Sequence, residues 1–533
     1  MAATCGEVLV ELLEAWGIDT VFGIPGVHTV ELYRGLPATR IRHVTPRHEQ
    51  RAGFMADGYA RASARVAACF IITGPGMTNI ATALGQAQAD SVPMLVVSSV
   101  NQTHELALGE GRLHELPSQR NVIAGLTAFS HTLLRADELP AILARAFTAF
   151  SAARPQPVHL ELPLDVITAA ADHLPRAAMW PAARPGPDPR AVARAAALLG
   201  KAKRPLVVLG GGAQDASAPA RELVRRLGAP ALTTINGKGI LAPDDPLNAG
   251  GTLAVTPVLE ELAEADVVLA VGTELGETDT LLFGQALSIG GRVIRIDIDP
   301  AQLARNAIPE VAMPCDAALA LEALSGEIGT GAGAGSGASR AAHLRERIDA
   351  SLDDAQRMHR RVMQTVAKAL PNAIVVGDST QLVYSANIFH QPERPRSYFN
   401  SSTGYGTLGY ALPAAIGAKL AEPSRPVLAV IGDGGLLFTI AELATAVELG
   451  LPVAILLWNN RGYGEIKKYM LERAIPTIGV DIYTPDLLAI ARGFGCHAAR
   501  AESLDALGRL LAETPRAGGP TVIEVDEATA TSW

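Results

Sequence analysis

The chain has 533 residues, 48% of them hydrophobic, and 45 Lys and Arg against 54 Asp and Glu give it a net charge of −9. That length accommodates about three α/β domains of ~150–200 residues, and an acidic balance without any Lys/Arg-rich run argues against nucleic acid or an anionic membrane surface as partner. Cys5, Cys69, Cys315 and Cys496 are scattered without CxxC or His–Cys spacing, so neither a disulfide framework nor a zinc site is expected and a reducing cytoplasm fits.

The start, MAATCGEVLVELLEAWGID, interleaves acidic and apolar residues and reads as an amphipathic helix rather than a signal peptide. No apolar run approaches the ~20 residues that span a bilayer. From Val21, VFGIPGVHTVELYRGL predicts a strand, a Gly-Pro-Gly turn and a helix, with His28 just beyond the strand's carboxyl end. Ile41 to Arg61 predicts another strand, a polar turn and a helix carrying Ala52, Met55, Ala56 and Tyr59. Glu49 sits at that junction, where a glutamate ordinarily complements the helix dipole. Ala67 to Ser99 reads strand, Gly74-Pro75-Gly76, helix, Pro93, strand, and Leu108 to Gln119 is an irregular polar stretch with His114 and Glu115 adjacent. On position alone that stretch is a surface loop.

Strand Val158 to Leu162 closes the first domain, and a Pro-rich linker, Pro181 to Pro189, follows. Apolar runs at Leu206–Leu209, Ala231–Thr234, Val267–Val271 and Val293–Ile298, separated by helical stretches, predict a Rossmann-like sheet. Gly210-Gly211-Gly212 lacks the spacing of a dinucleotide fingerprint. GEIGTGAGAGSGAS, Gly326 to Ser339, reads as a flexible linker into a third domain. That domain opens with strand Ala373 to Val376 and the polar end Gly377-Asp378-Ser379; Ser401 to Gly417 then supplies glycines where backbone lies close to a ligand.

In Arg425 to Gly462, Val427 to Ile431 and Val453 to Trp458 are short continuous apolar runs of the kind buried in parallel sheets. Between them Phe438, Ile440, Leu443, Ala444 and Val447 recur at helical spacing. A right-handed crossover brings Asp433 and Asn460 to the same carboxyl edge, where open α/β sheets bind ligands. One carboxylate, one amide oxygen and a turn carbonyl suit Mg²⁺, which completes its shell with water and phosphates. Strand, glycine turn, helix, proline and strand recur in Ala67 to Ser99 and in Arg425 to Gly462, a pseudo-repeat of one domain architecture at the two ends of the chain. After Asn460, RGYGEIKKYM begins another helix with Glu465 in its first turn.

Gly432-Asp433-Gly434, twenty-four residues, then Asn459-Asn460, resembles the diphosphate-binding signature of thiamine diphosphate enzymes, in the branch of acetolactate synthases and simple 2-oxoacid decarboxylases. The resemblance extends to His48-Glu49-Gln50 with Ala52 and Ala56-Asp57-Gly58-Tyr59-Ala60-Arg61, and covers essentially the full length. It implies an α/β fold of three doubly wound parallel-sheet domains: a pyrimidine-binding domain (1–175), a central Rossmann-like domain (188–325), a flexible linker (326–345) and a diphosphate-binding domain (346–533). It implies thiamine diphosphate and Mg²⁺ as cofactors, with Asp433, Asn460 and the Gly462 carbonyl on the metal and Gly432, Gly434 and Gly435 against the diphosphate. It further implies that Glu49 contacts the aminopyrimidine nitrogen, that the Gly406 carbonyl accepts from its amino group, and that Leu408, where acetolactate synthases usually carry Met, wedges beneath the thiazolium. Because relatives draw Glu49 and Asp433 from different subunits, a homodimer or homotetramer with interfacial sites is expected. FAD stays open as an alternative occupant of the central domain, since some relatives keep it there and others leave that domain empty.

The expected reaction is non-oxidative decarboxylation of a 2-oxo acid to an aldehyde and CO₂. His28 and His114 are the candidate proton donors. His114 stands in Leu113-His114-Glu115 where acetolactate synthases carry Phe-Gln-Glu, which weakens a synthase assignment. The stretches VFGIPGVHTVELYRGL and Gly111 to Pro117 look most like decarboxylases of 5-guanidino-2-oxopentanoate, from arginine catabolism. Glu115 or Glu465 would pair with that substrate's guanidinium, with His28 and His114 as the other substrate-facing candidates. The rival readings are acetolactate synthase-type carboligation and a catalytically silent, cofactor-binding regulatory subunit.

Overall fold

A computed structural model describes residues 2–178, 182–329 and 335–533. Three parallel sheets divide the chain. The first contains β1 (Thr20–Gly23), β2 (Arg42–Val44), β3 (Ala67–Ile71), β4 (Met94–Val100), β5 (Phe129–Thr132) and β6 (Val158–Pro163), in spatial order β2-β1-β3-β4-β6-β5. The central sheet contains β7 (Pro205–Leu209), β8 (Ala231–Thr233), β9 (Val267–Val271), β10 (Arg292–Asp297) and β11 (Val311–Pro314), in order β11-β10-β9-β7-β8. The third contains β12 (Ile374–Gly377), β13 (Tyr398–Asn400), β14 (Val427–Gly432), β15 (Val453–Asn459), β16 (His497–Arg500) and β17 (Thr521–Asp526), in order β13-β12-β14-β15-β17-β16.

The first and third sheets have the same topology, strand for strand. β3 corresponds to β14 and β4 to β15, so the turn at Gly74 stands in the first domain where Asp433 stands in the third. The repeat seen in the sequence is therefore a repeat of fold. Helices cover both faces of these sheets, which is why β3, β4 and β15 are buried along their whole length and read as unbroken apolar runs.

Four helices position the candidate site: α1 (Glu49–Ser63), α2 (Pro75–Ala89), α3 (Ala411–Ala421) and α4 (Asp433–Thr439). The outer domains share one hydrophobic core, in which Phe54, Met55 and Tyr59 of α1 join Leu412, Ala415 and Ile416 of α3. Glycines let those helices touch at backbone distance. A Cβ on Gly58 would run into the Ala414 carbonyl, and one on Gly417 into the Met55 carbonyl.

Some expectations needed revision. The single helix expected after Asp433 is two, α4 and Glu442–Glu448. The break at Ile440-Ala441 has tertiary causes: the Arg51 guanidinium takes the Phe438 carbonyl, and the buried Glu442 carboxylate accepts the Arg47 N–H at 2.9 Å. Phe438 is 47% exposed rather than in the core. Of the expected linker, residues 330–334 lie outside the described residues, and its second half lies in the helix Gly337–Ser351. Pro181, where the earlier linker was expected to begin, also lies outside them. Among the described residues no helix is long and apolar enough to cross a membrane.

Candidate active site

β14 ends at Gly432 and α4 begins at Asp433, whose side chain is buried. β15 ends at Asn459, and the turn beyond it runs through Arg461 with φ 61° to Gly462, whose Cβ would strike the Val480 carbonyl. This turn folds the Asn460 side chain back towards Asp433. Asn460 Oδ1 lies 3.2 Å from Asp433 Oδ1 and 2.9 Å from the Gly462 carbonyl oxygen.

Three acceptors facing one point repel unless a cation lies between them. Ligand oxygens ~2.1 Å from an octahedral Mg²⁺, at right angles, are about 3.0 Å apart, so the separations match neighbouring vertices of that shell. Turning the amide over would relieve the repulsion but set its oxygen 3.0 Å from Gln381 Oε1. In the present orientation Asn460 Nδ2 donates to Gln381 Oε1 at 3.0 Å, and Gln381 Nε2 donates to Glu465 Oε2 at 3.3 Å. Glu465 thus orients Gln381, and Gln381 orients Asn460. The other Asp433 oxygen accepts from Thr484 Oγ1 at 2.9 Å. Burial pushes the Asp433 carboxyl above its ordinary range, offset in part by Thr484. The donor set fits a divalent cation, and Gly434, whose Cβ would come 2.8 Å from the Tyr463 ring, leaves the backbone bare beside it.

Before Gly406 and Gly409, Asp378 is fully buried at the end of β12 and accepts backbone N–H groups from Ser379, Gly409 and Ala411 at 3.0–3.1 Å. It pins the chain immediately after Leu408, which is half-buried. Burial moves its carboxyl up to about 6. Gly406 and Gly409 both have positive φ, 75° and 78°.

Glu49, His28 and His114 belong to the first domain. His48 caps α1, its Nδ1 accepting from Gln50 N at 3.2 Å, so Glu49 opens the helix. Glu49 Oε2 accepts from Asn79 Nδ2 at 2.9 Å. His28 and His114 are neighbours, ring centroids 5.2 Å apart, and His28 Nδ1 bonds Thr73 Oγ1 at 3.0 Å. Burial, then the nearby His114, hold His28 below the usual histidine range. His114 has φ 60°, and its carbonyl lies 2.5 Å from where a Gly74 Cβ would be, so the 108–119 loop rests on the glycine turn. Gln119 Oε1 accepts the Gly74 N–H at 2.8 Å and locks that contact. Glu115 is engaged within its own loop, its oxygens accepting Gly109 N at 2.7 Å and Arg112 N at 2.9 Å.

The two groups are not adjacent along α4. Arg51, two residues after Glu49, reaches the Phe438 carbonyl, at the opposite end of that short helix from Asp433. A separate cavity of ≈ 340 Å³ lies where the three domains meet, at the carboxyl ends of the central strands. Gly211 there opens a 3-10 turn, Gly211–Ala216, rather than a long helix, which explains the missing fingerprint.

Asp378, Gln381 and Thr484 are absent from the sequence-derived set. Asp378 was visible as the polar end of a strand; the others meet their partners only through tertiary folding.

The chain matches three family models: Thiamine pyrophosphate enzyme, N-terminal TPP binding domain over residues 3–122, the central domain over 192–324, and the C-terminal TPP binding domain over 376–525. It is 48% identical to a probable 2-ketoarginine decarboxylase of Pseudomonas aeruginosa over 99% of this chain and 94% of that protein. It is 34% identical to the acetolactate synthase isozyme 1 large subunit of Escherichia coli, covering 86% of this chain and 82% of that protein. An acetolactate synthase large subunit of Parasynechococcus marenigrum is 32% identical, with 97% and 86% covered.

Proposed function

Because the chain belongs to the thiamine pyrophosphate enzymes, matching all three of their domain models, we propose that it is a thiamine diphosphate- and Mg²⁺-dependent 2-oxoacid decarboxylase. The observation that carries this reading is the convergence of Asp433 Oδ1, Asn460 Oδ1 and the Gly462 carbonyl at cation-ligand spacing. These atoms would hold Mg²⁺, and the glycines from Gly432 to Gly435 would let the diphosphate lie against the backbone. The coenzyme supplies an electron sink for the pair left when the C1–C2 bond of the 2-oxo acid breaks.

The chain's own residues orient and exchange protons. Glu49 would hold the aminopyrimidine ring through the oxygen that Asn79 leaves free, the Gly406 carbonyl would accept from its amino group, and Leu408 would pack against the coenzyme. CO₂ leaves, and a proton delivered to C2 releases the aldehyde. The His28–His114 pair supplies it; burial keeps His28 easy to deprotonate. The overall change is redox-neutral, so the chemistry needs no FAD in the central domain.

The substrate is 5-guanidino-2-oxopentanoate, giving 4-guanidinobutanal, as the likeness to a probable 2-ketoarginine decarboxylase suggests. Glu465 is the better guanidinium partner, half-buried beside the metal group, because Glu115 spends both oxygens on its own loop. Sites form between two copies in a homodimer or homotetramer. Support comes from the separation of Glu49 and Asp433 across α4 and from exposed apolar side chains beside both groups, Val27 at 65%, Leu113 at 58% and Ile478 at 77%. The cytoplasm is the proposed location.

A panel of 2-oxo acids with product identification, with and without thiamine diphosphate and Mg²⁺, tests this. Cofactor-dependent aldehyde and CO₂ from the guanidino acid is the expected result. A branched hydroxy-keto acid from pyruvate would establish carboligation instead, and no turnover on any acid would favour a regulatory subunit.

A further inference from the structure

Helix α2 of the first domain reaches across to the loop that carries Gly406 and Leu408. Gln86 on α2 is fully buried, and its Oε1 accepts both the Thr407 N–H, at 3.3 Å, and the Thr407 hydroxyl, at 2.8 Å. Its Nε2 donates to Asp90 Oδ2 at 2.5 Å. Asp90 is fixed in turn by Arg61, and its other oxygen accepts from Asn236 at 3.1 Å and Thr403 at 2.7 Å. The Gln86 amide therefore has one orientation. Turned over, it would face its NH₂ to the donors of Thr407 and its oxygen to a carboxylate.

A peptide bond is planar and trans, so the N–H of Thr407 and the C=O of Gly406 point in opposite directions from one rigid plane. Gripping the first aims the second. The next peptide is gripped as well, because the Thr407 carbonyl accepts from Ser401 Oγ at 2.7 Å and Ser379 Oγ at 3.3 Å. Gly406 has φ 75°, and a Cβ there would meet nothing within 4 Å. Glycine thus serves the backbone turn, and the space around it is open.

We propose that Gln86 is a positioning residue for the coenzyme: it holds the Gly406–Thr407 peptide so that the Gly406 carbonyl faces away from α2, as the acceptor for the coenzyme's amino group. This rests on the role given to Gly406 above. Without Gln86 the Gly406–Thr407 peptide loses the one bond that aims it, since the bonds to Ser401 and Ser379 hold only the peptides on either side, and the hydrogen bond that distinguishes an amino-bearing pyrimidine from one without it is lost.

The test is the dissociation constant, by titration calorimetry with Mg²⁺ present, of thiamine diphosphate and of its 4′-deamino analogue. The wild-type protein should prefer thiamine diphosphate about tenfold, and Gln86→Met, similar in volume without the acceptor, should bring that preference close to unity with little change for the analogue. Gln86→Asn, which withdraws the amide by about one C–C bond, ~1.5 Å, gives the same readout should the thioether fail to pack. Retained preference in a folded variant, or equal weakening for both compounds, would overturn the proposal. A wild-type protein that does not discriminate removes the Gly406 role itself, and the proposal with it.

Discussion

Gln381 Oε1 accepts from the side-chain amide of Asn460 at 3.0 Å, and this single bond decides which face of that amide meets Asp433. Removing it in Gln381→Leu leaves Asn460 free to turn its NH₂ towards Asp433 and the Gly462 carbonyl, which relieves their repulsion and spoils the cation site. Loss of a group that orients a metal ligand costs roughly 10–100-fold in metal affinity. Mg²⁺ titrations at fixed thiamine diphosphate should show a half-saturation raised by that factor, with unchanged secondary structure. An unchanged titration would mean that Gln381 does not orient the amide.

Glu49 opens α1, and only one of its carboxylate oxygens is engaged by Asn79. Glu49→Gln keeps an oxygen for Asn79 and removes the carboxylate proposed to share a proton with the pyrimidine. Turnover should fall by about 10²–10⁴, the usual worth of a positioned proton-transfer group, while Mg²⁺ binding and melting temperature hold. Activity within a few fold of wild type would remove that step.

Arg61 is buried between Asp57, bonded at 2.8 Å, and Asp90. The Tyr410 hydroxyl donates to the same Asp57 oxygen, so the cluster ties the first domain to the third. Arg61→Met would leave two carboxylates buried against each other, and breaking a buried pair from one side costs ~3–5 kcal/mol. Urea denaturation should register that loss. Asp57→Asn combined with Arg61→Met should recover part of it, because one uncompensated charge is then gone.

His159 bridges Ser98 Oγ, at 2.9 Å, and Ser130 Oγ, at 2.8 Å, inside the first sheet. Burial lowers it from 6.5 to about 3. The unfolded chain therefore takes up the proton first, and stability complete above pH 6.5 is lost as pH falls towards 3, by ~1.4 kcal/mol per pH unit. His390, moved to about 3, and His359, moved to about 4, act with the same sign. Buried carboxyls raised to about 6, Asp378, Asp279 and Asp297, act with the opposite sign, so the test is a difference: between pH 7 and pH 5 the urea midpoint of His159→Gln should fall less, or rise more, than that of wild type by one proton's worth, whatever the substitution does to stability at pH 7. A slope identical to wild type would show that His159 is not titrating on unfolding.

What sequence could disclose was set by how far apart interacting residues lie along the chain. Asp433 and Asn460 were legible because one strand–helix–strand unit carries both and its handedness sends them to one edge. The fold class and the repeat followed from the same short-range patterns. Thr407 meets Gln86 across 321 positions, and nothing local marks a glutamine in a small-residue helix as the holder of a distant loop. The helix break at Ile440 is invisible for the same reason, since Arg47 and Arg51 belong to another domain. Glu115 resembled a free carboxylate because loop closure by its own neighbours leaves no periodic trace.

The paired glycines of α1 and α3 give the outer domains a hard stop made of main chain. Side chains at an ordinary helix crossing can swap rotamers and let the spacing breathe; peptide carbonyls cannot. A methyl group added at position 58 or 417 would act as a shim, and its thickness would be passed on to the first and third sheets as a tilt between them. The spacing of the outer domains is thus machined by two absent side chains.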